Sequence, residues 1–332
     1  MNSGLVTVVI PCLNEARRLP GVLDALAAQT APPGEIIVVD GGSTDGTPDV
    51  ARSWAAAHPG IPLRILSNPH RHIPHALNLG LAAARGEIIA RLDGHAQPAP
   101  DYLERCLSAL AATGADVVGG AWEVCPGGPG VVAAAIALAV SSPLGAGDAR
   151  YRLAGAPAGE VDTVPFGCFR RALWQRQGGY NEALLTNEDY EFNARVRRAG
   201  GRVWFEPGIR CRYFARATLG ALGRQYVRYG WWKAQMLKRY PGSLRLRQAL
   251  PLAWTGVGAL TALGVVAWPA LAALWLSPWV IYGLVLGASA ARLAGLRRWK
   301  LWAALLAAYA VIHFAWGGGA WAGLVLGSRP PG

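Results

Sequence analysis

The sequence predicts an α/β domain built on a mostly parallel central sheet, followed by C-terminal transmembrane helices. Two observations carry this expectation. Residues 1–200 alternate short apolar, β-branched runs with helical patterns, the signature of strand–helix–strand units with helices on both faces of a sheet. Beyond them, residues 249–291 form a run of 43 positions without a charged side chain. A helix needs about 20 residues to cross the hydrocarbon core, so this run fits two passes.

The strand candidates are residues 5–10, 35–40, 63–66, 87–93 and 116–122, and the helix candidates are 15–28, 48–57, 75–85 and 101–111. Residues 5–10 lack a preceding basic stretch and run straight into Pro11-Cys12-Leu13-Asn14-Glu15, so a strand is expected there rather than a secretory leader. Thr47 before Pro48 reads as a helix start, with Thr47 capping and Pro48 in the first helical position. A helix over 188–198 carries Phe192 and Val196 as an apolar i, i+4 pair. Ser277-Pro278 is the expected turn between the first two passes, because proline disfavours helix continuation. Residues 301–328 supply a third pass without a charged side chain, with His313 as its one group that titrates near neutrality, and Trp275, Trp279, Trp299 and Trp302 flank the span ends as interfacial anchors. The expected domains are 1–215, catalytic; 216–247, a basic amphipathic interfacial region; and 248–328, a membrane domain of about three helices.

Composition excludes several classes. With 52% hydrophobic and 16% charged residues, the 332-residue chain cannot be intrinsically disordered. Five widely spaced cysteines with no C-x-x-C pair read as thiols, not as a disulfide scaffold. The formal net charge of +12 suggests nucleic acid until it is located. Residues 1–201 hold 16 basic and 19 acidic side chains, residues 202–247 hold 11 basic and one acidic (Glu206), and residues 248–332 hold five basic and none acidic. The surplus sits beside the most apolar part of the chain, which points to a membrane surface and away from a nucleic-acid partner. Arg245 and Arg247 precede the first pass, and Arg292, Arg297, Arg298 and Lys300 separate the second from the third. A hairpin puts both groups on one side, the cytoplasmic side under the positive-inside rule.

Acidic clusters fall where strands end, and ligands of parallel α/β sheets bind beyond the carboxyl ends of the strands. The first strand leads into Asn14 and Glu15, the second ends in Asp40-Gly41-Gly42-Ser43-Thr44-Asp45-Gly46-Thr47, and the fourth ends in Asp93-Gly94-His95. Each has a plain alternative: Asn14 as a helix cap, Asp40 and Asp45 as turn formers, Asp93-Gly94 as a turn. Neither G-x-G-x-x-G nor G-x-x-x-x-G-K-[ST] follows the first strand, so a diphosphate here needs something other than a glycine cradle. Asp93 and His95, two residues apart on a chain leaving a strand, can reach one divalent cation, and mixed O and N ligation suits Mn²⁺ better than Mg²⁺. The helix over 188–198 opens with Glu188, Asp189 and Glu191. These either match the helix dipole, worth ~0.3–1 kcal/mol each, or include a general base that deprotonates an attacking hydroxyl, the neighbouring acid fixing the acceptor. Cys168 is expected to be a buried thiol and not a nucleophile.

In combination, Pro11, Asn14, Glu15, Val39-Asp40-Gly41-Gly42-Ser43-Thr44-Asp45-Gly46-Thr47, Asn78, Gly80, Ala83-Ala84-Arg85-Gly86-Glu87 and Asp93 resemble glycosyltransferase family 2 over roughly residues 5–215. Asp93-Gly94-His95, Val164-Pro165-Phe166-Gly167, Asn187-Glu188-Asp189-Tyr190-Glu191-Phe192 and Gln225-Tyr226-Val227-Arg228-Tyr229-Gly230 further resemble the membrane-anchored, succinoglycan-type sugar transferases of bacterial exopolysaccharide assembly. The resemblance implies a GT-A fold, a nucleotide-binding α/β sandwich. It implies a donor-nucleotide site of Pro11, Asn14, Glu15, Asp40, Gly42 and Asp93, with Asp40 reading a base that is typically uracil. It also implies that Asp93 and His95 hold a divalent metal, Mn²⁺ or Mg²⁺, on the donor diphosphate, and that Asp189, with Glu188 beside it, is the catalytic base of an inverting displacement. Gly41 and His95 depart from the family pattern, each standing where a second Asp is common. Gln225, Arg228 and Trp232 lie three and four apart on a helix expected over 219–240, which also carries Tyr226, Tyr229, Trp231, Lys233, Lys238 and Arg239 as an aromatic, cationic interfacial face. They partly resemble the Q-x-x-R-W motif of polysaccharide synthases, and Arg228 is expected to engage the diphosphate of the acceptor. The expected activity is therefore transfer of a hexose, glucose or another, from a UDP-sugar to a polyprenyl-diphosphate-linked saccharide at the cytoplasmic face of a bacterial inner membrane, among membrane lipids. A polyprenyl-phosphate sugar transferase and a non-catalytic nucleotide-binding scaffold stay open as alternatives.

Overall fold

The computed structural model describes residues 6–295 and 297–326; residue 5 of the first expected strand and residues 327–328 of the third expected pass lie outside them. The chain opens with β1 (Val6–Cys12), α1 (Leu19–Ala27), β2 (Glu35–Asp40), α2 (Thr47–Ala57), β3 (Leu63–Ser67), α3 (Ile73–Ala83) and β4 (Ile88–Arg91). It continues through β5 (Gln97–Pro98), α4 (Tyr102–Thr113), β6 (Val117–Cys125), α5 (Val131–Val140), α6 (Pro143–Ala146), β7 (Gly159–Glu160), β8 (Cys168–Arg170), α7 (Arg171–Gln177), α8 (Glu188–Arg198) and β9 (Val203–Phe214). It closes with four long helices, α9 (Leu219–Arg239), α10 (Leu246–Ala267), α11 (Ala272–Ala294) and α12 (Trp299–Val325). Two compact units result: residues 6–123 with 154–213, and residues 124–153 with 214–326.

The first unit is a mixed sheet in the order β3-β2-β1-β4-β8-β6-β9-β5, with β7 pairing β9. Its parallel half joins β1 to β2 and β4, and β2 to β3, whereas β8 runs antiparallel to both β4 and β6. Every residue of β1 and β2 is buried, as expected of strands covered on both faces. Helix α3 lies hard against them at Gly80, where a Cβ would sit 2.5 Å from Val9 Cγ1 and 3.1 Å from Val39 Cγ2. The core contains Val8, Ile10, Val38, Leu92, Tyr102 and Val118 with the thiols Cys106, Cys168 and Cys211.

Local chemistry shifted several element boundaries. The first helix starts at Leu19 and not at residue 15, because Asn14 takes the left-handed conformation (φ 57°) and Pro20 occupies the first turn. Helix α3 starts at Ile73, two residues ahead of the expected 75, with Pro74 in its first turn. Thr47 does not cap α2: Gly46 (φ 87°) is the cap position, and the Thr47 hydroxyl donates to Asp45 Oδ1 (2.5 Å) while accepting from the Glu15 N–H (2.9 Å).

In the second unit α10, the segment running from Pro269 to Ala294 that ends in α11, and α12 are 22, 26 and 27 residues long and apolar enough to cross a membrane. The hairpin turn falls at Trp268-Pro269, not at Ser277-Pro278. Pro278 stays inside α11 because the carbonyl its missing N–H would serve, that of Leu274, accepts instead from Ser277 Oγ at 2.9 Å. Helix α5 folds onto α12, so residues 124–153 leave the unit in which the sequence-based boundary at 215 had placed them. Imidazole His313 joins both parts. The Leu144 carbonyl can only accept, so Nε2 carries the proton (2.7 Å) and Nδ1 accepts from the Tyr282 hydroxyl (2.8 Å).

Helix α9 packs along α12 through a glycine seam, in which Gly319 faces the Val227 backbone, Gly230 faces Trp316, and a Cβ on Gly323 would sit 2.8 Å from the Trp231 carbonyl oxygen. Gln235 and Lys238 both donate to the Gly323 carbonyl (2.8 and 2.9 Å). This packing revises the reading of the basic helix. Tyr226, Trp231 and Lys233 are buried inside the unit, where the Lys233 ammonium donates to the Ser243 carbonyl at 2.7 Å, and the cationic surface narrows to Arg224, Arg228, Lys238 and Arg239.

Candidate active site

The carboxyl ends of β1, β2 and β4 bring three of the acidic clusters together. Loops 13–16 and 42–47 are laced to each other: Asn14 N–H donates to Ser43 Oγ (2.8 Å), Thr44 N–H to Asn14 Oδ1 (2.9 Å), and Ala16 N–H to Asp45 Oδ2 (3.0 Å). Asn14 thus holds a loop and does not cap a helix. Pro11 is buried at the end of β1, and Gly42 bends the second loop at φ 79° while its N–H donates to Asp40 Oδ2 (3.0 Å). Ser43 N–H adds a second donor to the same oxygen (3.1 Å). Asp40 is 7% exposed, and its other oxygen, Oδ1, is buried without a hydrogen-bond partner among the described residues. A buried acceptor left unmade is costly, so this oxygen is suited to an incoming N–H.

The centre of the site is a residue whose role the sequence reading left unassigned. Arg91, at the end of β4 and 4% exposed, pairs with three carboxylates: Asp189 Oδ1, Glu188 Oε1 (2.8 Å) and Asp93 Oδ1 (3.1 Å). The signal was present as R-x-D at the end of a strand, where residues i and i+2 share a face. Burial disfavours the guanidinium charge, but Asp189, Asp93 and Glu188 more than offset it. Asp189 itself is 22% exposed at the start of α8. Burial raises its carboxyl, Arg91 opposes, and Glu188 and Asp93 add to the rise, bringing it to about 7. A carboxylate that takes a proton near neutrality is poised as a general base.

His95 Nδ1 lies 2.8 Å from Glu15 Oε1. A carboxylate only accepts, so Nδ1 carries the proton and Nε2 is the nitrogen left to face a cation, the arrangement in which a carboxylate orients a histidine ligand. Without a cation, the same hydrogen bond raises the imidazolium above its ordinary range against the opposing effect of burial. Among the described residues no group of three or more His, Cys, Asp or Glu is placed to hold a metal. Two protein ligands fit an ion that arrives with its own oxygen ligands, as diphosphate-bound Mg²⁺ or Mn²⁺ does. Charge fits as well, since one guanidinium, Arg91, pairs with three carboxylates. Gly94 is required between Asp93 and His95: a Cβ there would lie 2.8 Å from Cys12 Sγ and 3.1 Å from Glu15 Cγ. Gly94→Ala is expected to cost ~1–3 kcal/mol of stability by overpacking, read from urea unfolding.

Gln225, Arg228 and Trp232 belong to α9 of the second unit, where Gln225 and Trp232 are buried and Arg228 is exposed. Gln225 Nε2 donates at 2.8 Å to the hydroxyl of Tyr229, which follows Arg228 at the position where the Q-x-x-R-W motif has Trp.

The first unit, a mixed sheet with an acidic edge at the ends of β1, β2 and β4, has the GT-A fold that solved glycosyltransferases share. Residues 7–175 match the model of glycosyl transferase family 2, and the chain is 32% identical over 95% of its length, and 93% of the relative's, to the succinoglycan biosynthesis protein ExoA of Rhizobium meliloti (strain 1021). The chain belongs to glycosyltransferase family 2. It is also similar, at 24% identity over 70% of its length and 74% of the relative's, to a dolichyl N-acetyl-α-D-glucosaminyl phosphate 3-β-D-2,3-diacetamido-2,3-dideoxy-β-D-glucuronosyltransferase of Methanococcus voltae. Among solved structures, the mannosyltransferase PcManGT from Pyrobaculum calidifontis, in complex with GDP-Man and Mn²⁺, superposes with a TM-score of 0.62 at 25% identity, covering 93% of this chain and 86% of that one. TarS 1–349 of S. aureus in complex with UDP shares the fold at a TM-score of 0.50 and 16% identity, covering 94% and 90%.

Proposed function

We propose that this glycosyltransferase moves a hexose, with glucose as the first candidate, from a UDP-sugar to a hydroxyl of a lipid-linked saccharide, inverting the anomeric carbon. The observation that carries the reading is the Asp189 carboxylate at the start of α8, held by Arg91 at one oxygen, its carboxyl pushed up by burial, Glu188 and Asp93. In-line displacement needs one base and no covalent nucleophile. Asp189 deprotonates the acceptor hydroxyl as it attacks, and Arg91 fixes the carboxylate's orientation. Glu188, 9% exposed and bonded to the same guanidinium, positions Arg91. A divalent ion held by Asp93 and His95 would neutralise charge on the leaving diphosphate. Chelation with EDTA is expected to stop turnover, and added Mn²⁺ to restore it.

Asp40 Oδ1 supports a nucleotide donor, because it can accept a ring N–H such as uracil N3–H. Guanine also offers an N–H, and the Pyrobaculum neighbour carries GDP-mannose. Asp40→Ala is expected to weaken nucleotide binding by ~1–3 kcal/mol, measured by calorimetry with UDP and GDP in parallel. The other members of the donor site in this reading are Pro11, Asn14, Glu15, Gly42 and Asp93.

The acceptor side of the reading rests on the three apolar spans and on the relatives, one named for succinoglycan biosynthesis and one for a dolichyl-linked substrate. Basic residues before α10 and between α11 and α12 support a cytoplasmic catalytic unit under the positive-inside rule. Arg228, with Gln225 and Trp232, is proposed to meet the diphosphate of a polyprenyl-linked acceptor at a bacterial inner membrane. The test is product analysis after incubating the purified chain with Mn²⁺, membrane lipid extract and a panel of sugar nucleotides. A new glycosidic bond of inverted configuration that survives mild acid supports the reading; an acid-labile phosphodiester would assign the lipid phosphate as acceptor and sink it.

A further inference from the structure

The geometry points to Asn78 as a positioning residue, whose side-chain amide clamps residues 179–182 to α3 and thereby sets where α8 presents Asp189. The inference rests on Asp189 being the base. Asn78 Oδ1 accepts from the Tyr180 N–H (2.8 Å) and from Trp174 Nε1 (3.2 Å), and Nδ2 donates to the Tyr180 carbonyl (2.9 Å) and to Glu182 Oε1 (2.9 Å). An amide offers two donor hydrogens and two acceptor lone pairs, and all four are used, three on Tyr180 and Glu182 and the fourth on Trp174 of α7. His75, three residues earlier on α3, lies 3.4 Å from the other Glu182 oxygen.

The opposite side of the stretch is held by α8. Arg195 donates to the carbonyls of Gly179 (2.6 Å) and Gln177 while pairing with Glu191 (2.7 Å). Gly178 and Gly179 have φ of 72° and 83°, a path that L side chains rarely follow, and a Cβ on Gly179 would press on Asn78 Oδ1 at 2.9 Å. Tyr180 completes the link. Its buried ring stacks on Phe192 of α8 with centroids 4.7 Å apart. Its hydroxyl is pushed up by burial and then by the charge of Asp189. Helix α3 is seated at Gly80 on β1 and β2, the strands that end in the candidate nucleotide loops. Asn78 therefore ties the donor half of the site to the helix that carries the base.

The test uses the full chain in detergent as wild type, Asn78→Ala, Asn78→Asp, Glu182→Gln and the Asn78→Asp/Glu182→Gln double variant. Hydrogen exchange across 178–184, UDP affinity with Mn²⁺, and UDP release with water or octyl β-glucoside as acceptor are read together, using the UDP-hexose that wild type turns over. In Asn78→Ala the 178–184 amides are expected to exchange about tenfold faster, with UDP affinity within about twofold. Transfer should fall roughly 10–100-fold and hydrolysis by water much less, because a displacement near 1 Å already costs that much. Asn78→Asp keeps both acceptor bonds but turns the donors into acceptors facing two oxygens, so it should fall further. Glu182→Gln in the same chain supplies an N–H and should recover part of the loss. Unchanged exchange with an unchanged transfer-to-hydrolysis ratio in Asn78→Ala would overturn the inference, as would a proportional loss of UDP affinity, which marks a defect of the whole unit. Retained transfer in Asp189→Asn would instead overturn the base assignment, and exchange would still judge the clamp.

Discussion

Methionine in place of Arg91 is expected to destabilise the catalytic unit by ~3–5 kcal/mol, the usual consequence of removing one partner from a buried ionic cluster. Arg91 is 4% exposed and pairs with Asp93, Glu188 and Asp189, so its loss leaves three carboxylates crowded together with their shared cation gone. Urea unfolding monitored by tryptophan fluorescence reads the change. Turnover should disappear with it, because Asp189 loses the contact that orients it. Arg91→Lys should not rescue either property: an ammonium is a point charge, and it cannot present the planar fork that reaches three carboxylates at once. An Arg91→Met protein of wild-type stability would mean that the carboxylates relax apart at little cost.

Asparagine in place of Asp189 is expected to lower kcat by roughly 10²–10⁴-fold, the range for loss of a general base, with nucleotide affinity retained. The fall should sit in kcat, since in the proposed mechanism Asp189 pairs with Arg91 and takes the acceptor's proton without touching the nucleotide. In wild type the acid limb of kcat/KM should be centred at about 7, because burial, Glu188 and Asp93 push the Asp189 carboxyl up to that range against Arg91. The same shift makes a stability prediction of definite sign. A carboxyl whose folded value lies above the ordinary value of about 3.9 is easier to keep protonated in the fold than in the unfolded chain. Its ionisation therefore removes stability as pH rises from about 4 to about 7. Asp189→Asn, which carries no charge, should lack that loss, so its Tm advantage over wild type should grow between pH 5 and pH 8. An inactive variant that is also less stable at pH 8 would place the damage in folding.

Much of this was legible in the sequence because single-residue chemistry dictated it. Strand β2 and helix α8 fall within their expected bounds: an uninterrupted Ile-Ile-Val-Val run closed by Asp40-Gly41, and a helix opened by three acids and closed by Arg195, Arg197 and Arg198. Asn14, Asp40, Asp93 and His95 gather at one sheet edge because each terminates or follows a strand of the parallel half. Other features needed tertiary contacts. Arg91 looked like one more charge on a strand until α8 brought Glu188 and Asp189 to it. Pro278 looked like a turn until the Ser277 hydroxyl took over the Leu274 carbonyl. Lys233 looked like a membrane-surface cation until it was found buried on Ser243. The segment 124–153 could not be assigned from sequence, since helix α5 is apolar on every side and carries no periodicity to say what it faces.

The central claim is that a nucleotide-sugar donor is consumed at a site where Asp189 is the base. Nucleotide release by the purified full chain, wild type beside Asp189→Asn, measures it most directly across UDP- and GDP-linked hexoses with Mn²⁺ and lipid extract. The account predicts that wild type turns over a UDP-hexose and that Asp189→Asn binds the same nucleotide with unchanged affinity yet releases it at least about a hundredfold more slowly. Equal rates from the two proteins would contradict it.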